Sequence, residues 1–227
     1  KGAEITIKAL TLGAVDFVTK PSGTISLDMQ VVAQELREKV IAAASVAVDK
    51  LAGIVSLPIA EVRKLPLVRK GQVELVAIAA STGGPRAIQS ILEKIETTSM
   101  VPIVIVQHMP KGFTKSFAER LNEVSKLDVV EGYDNLPLKP NLAVVAPGGS
   151  HLIVEYNKMG QLVCRLSDMP PLHSVKPAAD LLFLSVADTV GGASLGVILT
   201  GMGRDGAEGA KAIRQKGGYV IAESSET

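Results

Sequence analysis

Residues 72–87, QVELVAIAASTGGPRA, join an apolar run to a glycine-rich turn and the start of a helical pattern. The apolar run over residues 73–80 is short and nearly continuous, which is typical of a strand buried on both faces of a parallel sheet. The two glycines allow a sharp change of chain direction, and Pro85 suits the first turn of a helix. Because open α/β sheets bind ligands at the carboxyl ends of their strands, we expect Ser81 to lie at a functional edge.

The turn by itself leaves the role of Ser81 and Thr82 open. Their hydroxyl groups suit a helix cap, and a glycine-rich turn before a helix can also cradle a phosphate. The stretch lacks both the G-x-x-x-x-G-K-[ST] phosphate loop and the G-x-S-x-G turn of α/β-hydrolases. Only other parts of the sequence can indicate whether Ser81 caps a helix, helps to bind a phosphate or acts as a catalytic nucleophile.

Composition narrows the class of protein. The chain has 227 residues, of which 47% are apolar and only 3% aromatic, so its core is built from Val, Ile, Leu and Ala. A net charge of +1 gives no general indication of nucleic acid or of an acidic partner. A single cysteine, Cys164, excludes an internal disulfide and fits a reducing compartment. The sequence shows neither a signal peptide nor an apolar run long enough for a membrane helix, so we expect a soluble cytoplasmic protein without membrane insertion.

Two further apolar runs precede chemically active side chains. The run over residues 101–106 ends before His108, and the run over residues 195–200 ends before Asp205. If these strands lie parallel to the first, Ser81, His108 and Asp205 share one edge of the sheet, as a nucleophile, a general base and an orienting carboxylate would. Taken singly, the histidine suits an ordinary structural hydrogen bond and the aspartate suits a helix cap.

The remaining pattern alternates helices and strands, which predicts a doubly wound, mostly parallel sheet with helices on both faces. Neither end of the sequence has the capping signals or polar tail of a natural terminus, so we expect a fragment. Helices are predicted near residues 1–12, 27–47, 85–95, 113–124, 181–190 and 207–215, and strands near residues 14–20, 129–133, 142–145, 152–156, 162–166 and 219–222.

Residues 13–21, GAVDFVTKP, resemble the end of a response-regulator receiver domain. The resemblance implies that Lys20 pairs with an acyl-phosphate, that the bond from Lys20 to Pro21 is cis, and that Phe17 is the aromatic switch residue. The phosphorylated aspartate of such a domain would lie upstream of this sequence. An ordinary edge strand with a surface lysine is the alternative.

Four stretches of the chain stand out as motifs: AASTGGP (79–85), QHMP (107–110), APGGSHL (146–152) and LTGMGRDG (199–206). Together they resemble the chemotaxis protein-glutamate methylesterase family. By that resemblance Ser81 is the nucleophile, His108 the general base and then acid, and Asp205 the carboxylate that orients His108. The backbone N–H of Met202 matches the oxyanion hole of the family, and Thr82 lies next to the nucleophile.

The same resemblance implies a domain organisation and a reaction. Residues 1–47 would be the receiver remnant, 48–71 a linker and 72–227 a Rossmann-like, three-layer catalytic domain. The reaction would be hydrolysis of glutamate methyl esters, with deamidation of certain glutamines, on the cytoplasmic helices of chemoreceptors. Catalysis would need no metal or organic cofactor, and Mg²⁺ is expected only at the receiver phosphorylation site, which is mostly absent here. A chemotaxis histidine kinase would be the phosphodonor.

Some residues depart from the family pattern or fall outside it. His173 lies two places ahead of the position where the family often carries His-Arg-Pro-Ser, so no role is assigned to it. For His151 we expect a structural role, and for Cys164 a place in the core. The rival interpretation is a receiver-linked phosphate- or nucleotide-binding module without hydrolytic activity, although no lysine or Mg²⁺-binding carboxylate accompanies the Gly-Gly turn.

Overall fold

A computed structural model describes residues 2–20, 28–45, 73–96, 101–201 and 203–224 of the chain. The strands are β1 (Leu75–Ala80), β2 (Ile103–Gln107), β3 (Asp128–Glu131), β4 (Leu142–Val145), β5 (His151–Tyr156), β6 (Leu162–Ser167), β7 (Ser194–Ile198) and β8 (Tyr219–Ala222). The helices are α1 (Gly2–Thr11), α2 (Asp28–Ser45), α3 (Gly84–Leu92), α4 (Thr114–Val124), α5 (Ala179–Thr189) and α6 (Ala207–Gln215), with a 3₁₀ turn at Gly191–Ala193.

Six of these strands form one parallel sheet in the order β3-β4-β2-β1-β7-β8. The first strand in the chain therefore lies in the middle, with β2 on one side and β7 on the other. In register, Ala79 lies opposite Val106 on β2 and Ile198 on β7. The residues that follow these three strands consequently emerge side by side at the carboxyl edge.

Layers of helix cover both faces of the sheet. Because successive side chains of a strand point to opposite faces, Ile78 packs in one core and Ala79 in the other. The core that holds Ile78 is completed by apolar residues of α1, α3 and α4, and the opposite core by α5, α6 and the antiparallel β5–β6 hairpin. The prediction of a three-layer, doubly wound α/β fold is confirmed.

The amino-terminal part differs from the prediction in one element. Helices α1 and α2 lie where the periodicity places them, but residues 14–20 form no β-strand. In the described part of the chain no strand lies alongside them, and a strand without a pairing partner has no ladder of hydrogen bonds. The predicted linker over 48–71 and the bond to Pro21 lie outside the described residues. The division into a receiver remnant and a catalytic domain stays a prediction.

Helix length also bears on membranes. Among the described residues, none of the helices combines the length and the apolar character that crossing a bilayer requires.

Candidate active site

Ser81 stands at the tight turn between β1 and α3. Its backbone N–H donates to the carbonyl of Thr200 (3.0 Å), and its own carbonyl accepts from the N–H of Gly84 (2.8 Å). Gly83 has a φ of 78°, in the left-handed region that favours glycine. The turn thus fixes the serine at the carboxyl end of β1, as the quoted stretch predicts, and the bond to Thr200 places it beside the end of β7.

His108 comes from the neighbouring strand end. Its backbone N–H donates to the carbonyl of Ala80 (3.1 Å), which continues the pairing of β1 and β2 beyond the strands. The buried side chain of Gln107 strengthens this junction, because its Nε2 donates to the carbonyls of Ser81 (2.9 Å) and His108 (3.2 Å). Sequence reasoning gave no role to Gln107, which reads only as the last residue of a strand.

The imidazole of His108 meets a carboxylate. Its Nε2 lies 2.7 Å from Oδ2 of Asp205, and the two side chains are only 16% and 5% exposed. Because an ionised carboxylate can only accept, Nε2 of the neutral imidazole carries the proton and Nδ1 keeps the lone pair. The nitrogen available as a base is therefore Nδ1.

Asp205 also accepts from the start of helix α5. Its Oδ2 takes the backbone N–H of Ala179 (2.6 Å) and its Oδ1 that of Asp180 (2.9 Å). Burial acts to raise the pKa of Asp205, but the hydrogen bonds from His108, Asp180 and Ala179 outweigh it and leave the pKa below its ordinary value. Asp205 is consequently an anion at neutral pH, held by donors that give it one orientation.

The three predicted residues converge. Ser81, His108 and Asp205 line one open cavity at the carboxyl edge of the sheet, together with residues 198–201. Gly201 closely approaches the serine, since a Cβ at that position would lie 2.7 Å from the Ser81 Cβ. Met202, the predicted oxyanion residue, lies outside the described residues, so its role stays a prediction.

Comparison with known proteins shows the family. The family model described as CheB methylesterase matches residues 76–227. The chain belongs to the CheB methylesterase family.

Relatives in this CheB family are similar along the whole chain. The protein-glutamate methylesterase/protein-glutamine glutaminase of Bacillus licheniformis is 44% identical over 236 aligned residues, and that of Pyrococcus horikoshii is 42% identical over 237. Both alignments take in 100% of this chain, but only 66% and 62% of the relatives, so the chain spans just under two thirds of their length.

A solved structure of the CheB family agrees with the fold. The crystal structure of the Thermotoga maritima CheB methylesterase catalytic domain matches with a TM-score of 0.66 and 41% identity. The match covers 68% of this chain and 82% of the other.

The hydroxyl group of Thr82 bonds to the amino-terminal segment and does not cap helix α3. Its Oγ1 donates to Oδ2 of Asp16 (2.7 Å), a residue of the amino-terminal segment. Lys39 on α2 holds the same carboxylate, with Nζ 3.1 Å from Oδ1 of Asp16, and donates to the carbonyl of Phe17 (2.6 Å). Sequence reasoning missed Asp16, because nothing in local spacing links residues so far apart.

The two predicted receiver residues, Phe17 and Lys20, do not line the cavity that holds Ser81, His108 and Asp205. The ring of Phe17 packs against Phe113 with centroids 4.6 Å apart, and Lys20 is exposed. A second cavity nevertheless runs between the amino-terminal segment, including Asp16 and Phe17, and the pair Ser81 and His108. The segment therefore reaches the edge of the candidate active site in this CheB-family chain.

His151 has the structural environment that was expected. It is fully buried, its Nδ1 accepts the N–H of Ala178 (3.0 Å), and its Nε2 donates to the carbonyl of Pro170 (3.1 Å). Cys164 is also fully buried, and burial raises the pKa of its thiol to about 12, so the thiolate is not available near neutral pH.

One cluster has the residue types of a metal site. Single ligand atoms of His173, Asp180 and Asp205 lie within 4.8 Å of one another. The carboxylate oxygens already accept hydrogen bonds from two helix N-termini, whose partial positive charge opposes a cation. The hydrogen bonds to Asp180 and Asp205 therefore indicate two carboxylates held by backbone N–H donors, and they do not favour a metal site.

Proposed function

We propose that this chain hydrolyses glutamate methyl esters on the cytoplasmic helices of chemoreceptors, and deamidates certain glutamines, in the cytoplasm. The observation that carries the proposal is the convergence of Ser81, His108 and Asp205 on one cavity, with the imidazole bonded to the carboxylate. The two relatives described above indicate the substrate class, since both are named protein-glutamate methylesterase/protein-glutamine glutaminase.

The proposed reaction runs through an acyl-enzyme. Nδ1 of His108 takes the hydroxyl proton of Ser81 while Oγ attacks the ester carbonyl carbon. The bond to the methoxy oxygen breaks, and methanol leaves with the proton from His108. His108 then takes a proton from water, whose oxygen attacks the acyl carbon. The bond from that carbon to Ser81 Oγ breaks, Oγ receives the proton from His108, and the free glutamate carboxyl group ionises in water. Asp205 stabilises the imidazolium in both halves without taking its proton.

The oxyanion of each tetrahedral intermediate needs donors. We assign this role to the backbone N–H of Met202, between the glycines at 201 and 203, with Thr82 beside the nucleophile. The same acyl chemistry accounts for deamidation, with ammonia as the leaving group. Nucleophile, base, carboxylate and oxyanion donor are all protein groups, so the proposal includes no metal or organic cofactor for catalysis.

A phosphate-binding role gains no support from the turn. The carboxylate of Asp16 lies on the Thr82 hydroxyl, and a second negative charge would be repelled there. The N–H of Gly84 is already bonded to the carbonyl of Ser81. A nucleotide would have to displace these contacts.

Methanol release separates the two functions. We expect the chain to release methanol from a methylated chemoreceptor fragment, and Ser81→Ala to abolish the release. Ser90→Ala is the matched control, because Ser90 is an exposed serine on α3. Nucleotide binding in calorimetry together with no methanol release would favour the rival module.

We also propose that the amino-terminal segment regulates the enzyme. Residues 1–47 would belong to a receiver domain, joined by a linker at 48–71 and phosphorylated upstream, with Mg²⁺ bound there, by a chemotaxis histidine kinase. Phosphorylation would act through Lys20 and Phe17, and would weaken the contact of Asp16 with Thr82. A shift from a mostly covered to a mostly open site needs a few kcal/mol, which one phosphoryl group can supply.

Two substrates test this regulation. In the full-length enzyme, removal of residues 1–71, or Asp16→Ala, should raise hydrolysis of receptor esters and hardly change hydrolysis of a small ester. Glu4→Ala is the matched control, because it removes an exposed acid from the same segment. Equal stimulation of both substrates would indicate a rearranged catalytic site, and no stimulation would leave regulation by this segment unsupported.

A further inference from the structure

A carboxylate near the N-terminus of each of the helices α5 and α6 accepts hydrogen bonds from the N-terminus of the other helix. Asp205, which precedes α6, accepts the first two N–H groups of α5 at Ala179 and Asp180. Asp180, in the first turn of α5, in turn accepts the N–H of Gly209 in the first turn of α6 (2.8 Å, Oδ1). Each carboxylate therefore caps the helix to which it does not belong.

The N-termini of α5 and α6 are buried and tightly packed around these hydrogen bonds. The Asp180 side chain is only 3% exposed and that of Asp205 only 5%. At Gly209 an added Cβ would collide with the Cβ of Phe183 on α5, and would lie 3.1 Å from the Asp180 carbonyl. The two helix starts are thus held against each other with no room for an intervening side chain.

Each carboxylate also has an imidazole. His108 meets Asp205, whereas His173 meets Asp180 with its Nε2 3.1 Å from Oδ2. His173 is 47% exposed, so it covers Asp180 from the solvent side. Two helix N-termini and two imidazoles therefore surround this pair of neighbouring carboxyl groups.

We propose that Asp180 is a positioning residue for the catalytic carboxylate. By binding the N–H of Gly209, it fixes the start of α6 against α5, and so fixes where Asp205 meets the N–H groups of Ala179 and Asp180. The orientation of the His108 imidazole follows from that of Asp205. This inference rests on the proposed esterase function, because it concerns the same site.

The test compares Asp180→Ala with Asp180→Asn in the whole chain. Asparagine keeps an oxygen for the N–H of Gly209, whereas alanine leaves that N–H without a partner. We expect Asp180→Ala to lower kcat for a small glutamate methyl ester by about tenfold or more, with KM nearly unchanged, because misplacement of a catalytic group acts on the transition state. Asp180→Asn should keep most of the wild-type kcat.

A spectroscopic signal separates positioning from mere stability. The Nε2 proton of His108, bonded to Asp205, is expected as a downfield proton NMR resonance that moves in Asp180→Ala and stays in Asp180→Asn. Asp188→Ala is the matched control, since Asp188 is an exposed acid at the other end of α5, paired with Lys216 at 3.2 Å. It should change neither kcat nor the resonance.

The outcomes are distinct from those of the proposed function. Wild-type protein that releases no methanol would overturn the esterase, while the resonance would still report on the position of His108. An active wild type with unchanged kcat and unchanged resonance in Asp180→Ala would overturn the role of Asp180. If Asp180→Ala does not fold, Asp180→Ser replaces it, because the hydroxyl is too short to reach Gly209, and the same two readouts decide.

Discussion

The loops that follow β2 and β4 reach the same edge of the sheet, and each leads to a histidine: His108 lies in the first loop, and His151 begins β5 after the second. The two imidazoles nevertheless have opposite surroundings. His108 lies at an open cavity with one nitrogen on the Asp205 carboxylate. His151 is fully buried, with both nitrogens on backbone groups of residues 170 and 178. A histidine can act as a base only where one nitrogen stays available, so the partners, not the residue type, separate catalysis from structure.

The two loops also support each other. Oγ1 of the fully buried Thr114 accepts the N–H of Gly148 (2.9 Å) and donates to Oε1 of Glu131 (2.6 Å). At Gly148 an added Cβ would lie 2.6 Å from the backbone nitrogen of Lys111. The backbones of the two loops are therefore in direct contact, so the loop that leads to His151 packs against the loop that carries His108.

Removal of the groups proposed to be catalytic should produce the largest effect. His108→Ala and Ser81→Ala should each lower turnover by about 10⁴-fold or more, because each takes part in every proton transfer or bond exchange. Methanol release from a methylated receptor fragment measures the loss. The folded state of both variants, followed by circular dichroism, should match the wild type.

The double variant sharpens this expectation. Ser81→Ala with His108→Ala should be little worse than either single change, because the two groups act as one unit. Multiplied losses would contradict a shared catalytic unit. Asp205→Asn should lower turnover by less, or at most as much, since this residue orients and does not transfer protons.

His151→Phe should act on stability instead. The substitution removes the acceptor for the Ala178 N–H and the donor to the Pro170 carbonyl, at about 1–3 kcal/mol for each buried group left unpaired. The urea midpoint of unfolding measures this loss. Loss of turnover without loss of stability would mean that His151 belongs with His108 in the reaction.

Thr114→Val tests the link between the loops. The change is close in shape and leaves the buried N–H of Gly148 unpaired, so we expect a loss of about 1–2 kcal/mol in unfolding free energy. Thr189→Val is the control. Thr189 lies at the end of α5 far from the candidate site, and its hydroxyl also bonds a backbone group, the carbonyl of Val154. A loss of turnover in Thr114→Val alone would show that the contact between the loops positions His108, and equal turnover would limit Thr114 to stability.

The pH dependence of Asp205 gives the smallest effect. Burial opposes ionisation, but the bonds from His108, Asp180 and Ala179 leave the pKa below the ordinary value of 3.8. A lowered folded pKa stabilises the protein above the unfolded pKa, and this contribution is lost as the pH falls through the folded pKa. The difference in urea midpoint between wild type and Asp205→Asn should therefore shrink from pH 7 to pH 3. A constant difference would mean that the charge of Asp205 does not contribute.

The sequence was sufficient for most of the fold. Apolar runs and turn residues predict the central strands, because burial on both faces leaves an unmistakable composition around β1, β2 and β7. Residues 14–20 were predicted as a strand and form none, since composition reports that a segment can pair but not whether a partner lies beside it. Strand order was equally out of reach of local patterns.

The residues of the candidate site likewise fall into those that the sequence predicted and those that it did not. Ser81, His108 and Asp205 were predictable because each follows a strand, and strand ends meet at one edge. Asp16 and Asp180 were not, because one bonds a residue far along the chain and the other reads as an ordinary acid in the first turn of a helix. Contacts set by the packing of whole elements have no local signature.

Sheet order has a consequence for synthesis on the ribosome. Strand β2 follows β1 closely along the chain and can pair with it soon after synthesis. The other edge of β1 pairs with β7, which is synthesised much later. Until then the nascent chain carries an unpaired apolar strand beside Ser81, which is a template for association with other chains. Asp205 closely follows β7 along the chain, so the strand that closes this edge and the carboxylate that meets His108 are made almost together. A nascent chain that ends before β7 therefore holds the serine and the histidine without the carboxylate that orients them.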